Sequence, residues 1–105
     1  MTCSKLETAL KSVLPDAVYH LNAPGGDERF IIWSEDGYET LRADDAVAEK
    51  IPKVTVYLYS QVEDDTLLED VMDALESAGI VISDPEQGFD EETCTVGWII
   101  DCEVI

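Results

Sequence analysis

From Cys94 to Val104 the chain alternates without a break: Cys94, Val96, Trp98, Ile100, Cys102 and Val104 fall on one side, and Thr95, Gly97, Ile99, Asp101 and Glu103 on the other. A period of two belongs to a strand, and so apolar a side must be covered by another layer. The alternation predicts a sheet packed against something on that face, with Cys94 and Cys102 pointing into the core as small hydrophobes. Extended chain would hold those two thiols roughly 26 Å apart, beyond the reach of a disulfide or of one metal shell. The chain has 3 cysteines and no C-x-x-C spacing, which fits free thiols in a reducing compartment.

Two helices are expected to supply the covering layer. Ser4 and Glu7 form a capping-box signature, and Leu6, Ala9, Leu10, Val13 and Leu14 recur at helical spacing until Pro15. Further on, Asp64, Asp65 and Thr66 offer capping oxygens to a helix whose apolar stripe is Leu68, Val71, Met72, Leu75 and Ala78, with Gly79 placed as its C-terminal cap. Glu69, Asp70, Asp73 and Glu76 lie on its opposite side, where solvent or a partner must face them. Between the helices, Ala17 to Leu21 reads as a short strand, followed by a turn-rich loop from Asn22 to Asp27. Phe30 to Trp33 reads as a strand that turns at Glu35-Asp36-Gly37 and returns through Tyr38 to Arg42. Ala43 to Ile51 holds several helix formers and ends at Pro52; Val54 to Tyr59 is a central strand. The fold class expected is α+β: one domain over residues 1–105, with a mostly antiparallel sheet of about four strands and both helices on one face. Its second face, assigned Ile31, Trp33, Tyr57, Tyr59 and Ile99, would leave more apolar surface in water than a monomer usually shows.

Charge narrows the functions open to such a domain. The chain carries 24 acids against 6 bases, and every base lies at or before Lys53. Residues 54–105 hold 14 acids and no Lys or Arg, so that half has a formal charge of −14 out of −18. Binding a phosphate backbone or an anionic membrane by charge is excluded, because either needs cations to displace counterions. Hydrophobic residues make up 46% of the chain, enough for a core, so the acidity is not a sign of disorder. No apolar run approaches the length of a membrane span, and the start of the chain lacks the apolar core of a secretion signal, so an intracellular product is expected.

Catalytic and metal readings find little support in the residues. His20 is the only histidine, and nothing marks it as half of a Cys–His pair. The run Asp84 to Glu92 has calcium-loop carboxylates, but its glycine stands at the fifth place rather than the sixth, and no helix pattern follows; a solvated acidic loop is expected. Asn22-Ala23-Pro24-Gly25-Gly26 lacks the lysine of a phosphate loop. No catalytic residue, metal ligand or cofactor is assigned, and the chain is expected not to be an enzyme.

The segment Phe30-Ile31-Ile32-Trp33-Ser34-Glu35-Asp36-Gly37, then Ala43-Asp44, then Val54-Thr55-Val56-Tyr57-Leu58-Tyr59-Ser60, resembles small tail-completion proteins (tail terminators or minor tail proteins) of long-tailed phages and prophages. Asp73-Ala74-Leu75, the acidic run Asp90-Glu91-Glu92-Thr93 and a terminal strand with Trp98 continue the resemblance along most of the chain. It departs in the Gly25-Gly26 loop and in its cysteines. The resemblance implies a structural protein that forms a ring with copies of itself, commonly a hexamer, at the head-proximal end of the tail. There it would end tube growth and meet the major tail protein and the neck proteins, after assembly in the host cytoplasm.

Within that expectation the candidate subunit contacts are Pro24, Gly25, Gly26, Arg29, Arg42, Lys50 and Lys53, which sit in or beside two loops and bring the chain's cations to a neighbour's acidic half. Glu69, Asp70, Asp73, Glu76, Asp90, Glu91 and Glu92 are the candidate acidic face toward a lumen or partner. The alternatives are an acidic DNA mimic that blocks a host DNA-binding enzyme, or another head-tail connector component. Mimicry would place the carboxylates along one extended face, whereas here they are spread over helix, loops and strand.

Overall fold

The computed structural model describes residues 4–21, 28–43, 46–62, 65–90 and 95–104. In chain order the elements are α1 (Ser4–Val13), β1 (Val18–His20), β2 (Arg29–Ala43), β3 (Ala46–Ser60), α2 (Leu67–Ser77), β4 (Val81–Ile82), β5 (Glu86–Asp90) and β6 (Thr95–Glu103). The class is α+β, and the described sheet has six strands rather than about four, in the order β1-β2-β3-β6-β4, with β5 also on β6. Every pairing is antiparallel except β1 on β2. Each of the two extra strands escapes sequence reading for its own reason: β4, Val81–Ile82, is only two residues long, and β5 lies inside the run expected to be a solvated acidic loop.

One large correction concerns the middle of the chain. Glu35-Asp36-Gly37 is not a turn. β2 runs straight through it for 15 residues, and Asp36 is the extra residue of a bulge, since Glu35 faces Val54 while Gly37 faces Lys53. Gly37 has φ +113°, a conformation that costs a side-chain-bearing residue, so the glycine serves a bend in the strand instead of a reversal. The segment from Ala46 to Pro52, with its helix formers, is likewise strand and pairs with Tyr38 to Ala43. Ladder partners across the hairpin outweigh its weak local helix preference.

Both helices cover one face of the sheet. Leu6, Ala9 and Leu10 of α1 and Leu67, Val71 and Leu75 of α2 form one cluster with Ile31, Trp33, Val54, Val56, Leu58, Ile100 and Cys102. The register makes this face continuous: Ile31 pairs with Leu58 and Leu58 with Trp98, while Trp33 pairs with Val56 and Val56 with Ile100. Ile31 and Trp33 therefore belong to the buried face, not to the open one as the sequence reading had them. Cys102 is buried as expected; Cys94 lies outside the described residues.

Helix α2 ends as its sequence predicts. Ile80 N–H donates to the Leu75 carbonyl and Gly79 N–H to that of Glu76, both at 3.0 Å, while Gly79 takes φ +78°. Leu75 and Ile80, the apolar pair that clamps such a terminus, are both buried. At the other end the capping oxygen comes from Asp65, whose Oδ1 accepts from Leu67 N–H at 3.0 Å; Thr66 instead donates to Asp70 at 3.0 Å.

Candidate assembly surface

With both helices on one side, the other side of the sheet is built from Phe30, Ile32, Tyr57, Tyr59 and Ile99. Cross-strand register sets Tyr19, Ile32, Tyr57 and Ile99 in one row. Beside it Phe30 stacks on Tyr59, ring centroids 4.7 Å apart and 18° from parallel. Tyr59 also lies over Gly97, where a Cβ would meet its ring at 3.5 Å. Phe30, Ile32, Tyr57 and Tyr59 are half-buried by one another, and Ile99 is 40% exposed. No described helix covers them. Burial by its neighbours raises the Tyr59 hydroxyl above its ordinary pKa, and Tyr57 adds to the effect.

The edge of this face is acidic. Glu86 stands opposite Ile99, and Asp101 follows it on the same side; both are exposed. Asp101 also approaches the buried Thr55 hydroxyl, which donates to Asp36 and lies 3.3 Å from Asp101 Oδ1.

From the same sheet β2 and β3 extend as an arm. β6 pairs with β3 only from Lys53 to Ser60, and β1 pairs with β2 only from Ile31 to Trp33, whereas the ladder of β2 with β3 continues to Ala43 and Ala46. Among the described residues no third strand accompanies Tyr38–Ala43 and Ala46–Pro52. One bond, from Val104 N–H to the Pro52 carbonyl at 2.9 Å, ties the arm's root. The arm contributes to a molecule 51 × 25 × 23 Å in extent. Tyr38, Lys50 and Lys53 are exposed, and Ile51 is buried.

The candidate contact residues fall into separate places. Lys50 is on β3 of the arm, Lys53 is at its root opposite Glu103 of β6, and Arg42 is at a β2 position opposite Val47. Arg29 is engaged within its own chain: its Nε donates to Asp65 Oδ2 at 2.7 Å. Ser60 Oγ donates to the same oxygen at 2.5 Å. Partial burial acts to raise the Asp65 pKa, but the bonds from Ser60, Arg29 and Leu67 overcome it and hold the carboxyl below its ordinary value. Pro24, Gly25 and Gly26 lie outside the described residues, as do Glu91 and Glu92. Asp90 is the last residue of β5, opposite Thr95. Glu69, Asp70, Asp73 and Glu76 are all exposed on α2, the side away from the core.

His20 takes a structural place. Its ring stacks on Trp33 with centroids 4.1 Å apart, and Nε2 meets Glu35 Oε2 at 2.7 Å. That hydrogen bond is the main cause of a lowered Glu35 pKa. Among the described residues no cluster of His, Cys, Asp and Glu has the geometry to hold a metal ion. No described helix is long and apolar enough to cross a membrane.

The fold is shared with a virion chain. A chain in the solved structure of the virion of a native gene transfer agent (GTA) particle superposes with a TM-score of 0.54 at 11% sequence identity. The match covers 94% of this chain and 90% of that one, so it takes in both helices and the sheet together. No known family profile matches the sequence, and no curated protein does.

Sequence reasoning missed the aromatic row because it assigned the wrong residues of β2 to the open face. The signal was present: Phe30 and Ile32 alternate with Ile31 and Trp33, but both pairs are apolar, and alternation cannot orient a strand whose two faces are alike.

Proposed function

We propose that this chain is a structural protein of a phage-like particle, one that closes the head-proximal end of a tail as a ring of its own copies. The observation that carries the reading is the fold shared with a virion chain over 94% of the length. The resemblance to tail-completion proteins adds the finer assignment. In this reading the protein makes and breaks no bond; it ends tube growth and offers the neck a surface. Its partners are the major tail protein, the neck proteins and other copies of itself, met in the host cytoplasm and retained in the virion tail.

Two physical features support a subunit of an assembly. The open face of Phe30, Ile32, Tyr57, Tyr59 and Ile99 is apolar surface that gains free energy when a partner covers it. The exposed acids of α2, Glu69, Asp70, Asp73 and Glu76, suit a channel wall that repels DNA and lets it pass without sticking.

The test is tail assembly followed by electron microscopy. Tubes of major tail protein grown with the chain are expected to have one length and a ring at one end, and tubes grown without it to overrun. Tubes whose length ignores the protein, with none of it bound at an end, would refute the reading.

A further inference from the structure

Among the described residues the arm of β2 and β3 has no third strand beside it and the open sheet face has no helix over it, and the two belong to the same chain. A two-stranded ribbon is marginal in water, because its edges offer N–H and C=O groups that a third strand would otherwise pair. The face is the converse case: a paired sheet whose aromatic surface has nothing against it.

We propose that the arm of one copy lies across the open face of the next, so that copies join head to tail. This inference rests on the ring reading and specifies the contact that builds the ring. Packing two open faces against each other would bring together two surfaces that each carry Glu86 and Asp101 at their border, on two chains of formal charge −18. Such a contact would also be its own mate and stop at two copies. Placing the arm there brings Lys50, exposed, on the same face of the arm as Tyr38 and in no ion pair with a described side chain, to the carboxylates bordering Ile99. Exposed Tyr38 brings apolar area to the same contact. A contact between two different surfaces leaves an arm free at one end of a chain of copies and a face free at the other, and it closes when rotation brings them together.

Sedimentation of the full chain at millimolar concentration tests the pairing with three exposed-site variants and a mixture. The native chain is expected to self-associate. Lys50→Glu removes the arm contact, and Ile99→Asp removes the face contact; each should weaken association by about tenfold or more. Lys11→Glu changes net charge by the same amount on α1 and should leave association near that of the native chain. The decisive sample mixes the arm variant with the face variant: one intact face meets one intact arm, and the pair forms a dimer that grows no further. Circular dichroism confirms that each variant is folded. A native chain that stays monomeric, a mixture that stays monomeric, or an α1 variant that weakens association as much as the arm variant would overturn the proposal. Tubes of controlled length alongside any of those outcomes would remove this contact and leave the ring reading standing.

Discussion

Asp65 joins three parts of the fold. One carboxylate ties Arg29 at the start of β2, Ser60 at the end of β3 and the first turn of α2. Asp65→Ala should cost about 1–2 kcal/mol near neutral pH, since it removes a capping oxygen and leaves a half-buried guanidinium and a buried hydroxyl without their acceptor; chemical denaturation measures it. The bonds that depress the Asp65 carboxyl stabilise the folded chain only while it is ionised. Its contribution is therefore full above the unfolded value of 3.8 and is lost as the pH falls through the lower folded value. Glu35, lowered chiefly by His20, follows the same sign below 4.5. The stability gap between wild type and Asp65→Ala, measured across that range, should close as the solution is acidified.

Cys102 sits at the opposite extreme of reactivity. Burial, with Asp101 as the lesser cause, pushes its thiol up to about 12, so hardly any thiolate exists at physiological pH. Thiol reagents should leave Cys102 unmodified in the native protein and label it on unfolding, which mass spectrometry of the modified peptide would show. Cys102 was legible as a core residue from alternation alone. Asp65 was legible only as one of three capping candidates, because nothing in a linear sequence brings Arg29 within 2.7 Å of a residue 36 positions away.

Elements that rely on local chemistry were the easiest to read. Both helices lie where the stripes and caps put them, and Gly79 performs the left-handed turn assigned to it. Gly79→Ala should destabilise the protein by about 1 kcal/mol through backbone strain at φ +78°, measurable as a lower Tm. The mistaken hairpin is the same chemistry misread: Glu35-Asp36-Gly37 has turn residues and a glycine at positive φ, but a bulge uses them as well as a turn does. Long pairing with β3 decides between the two. Gly37→Val should therefore cost stability by straining the bulge at φ +113° without opening the β2–β3 ladder at Ile31 to Trp33, a separation that amide hydrogen exchange would resolve.

For the whole molecule, charge and shape pull against each other. A net −18 repels copies of the chain, while the open aromatic face gains free energy when it is covered. Raising the salt concentration screens the first and leaves the hydrophobic part of the second, so self-association should increase with ionic strength; light scattering over a salt series checks the direction. Association that falls steadily with salt would mean that ion pairs dominate the contact.

Periodicity and caps in the sequence determined the α+β class, both helices, the burial of Cys102 and the exposure of the α2 acids, because each depends on residues within a few positions of one another. The expectation that charge alone will not bind a phosphate backbone needed only composition. Tertiary structure alone decided that β2 and β3 continue into one arm, that Phe30 and Ile32 rather than Ile31 and Trp33 meet the solvent, and that Arg29 is held by Asp65. Those outcomes turn on strand register and on which face the helices cover, and register is a property of two segments, set by partners that neither segment contains.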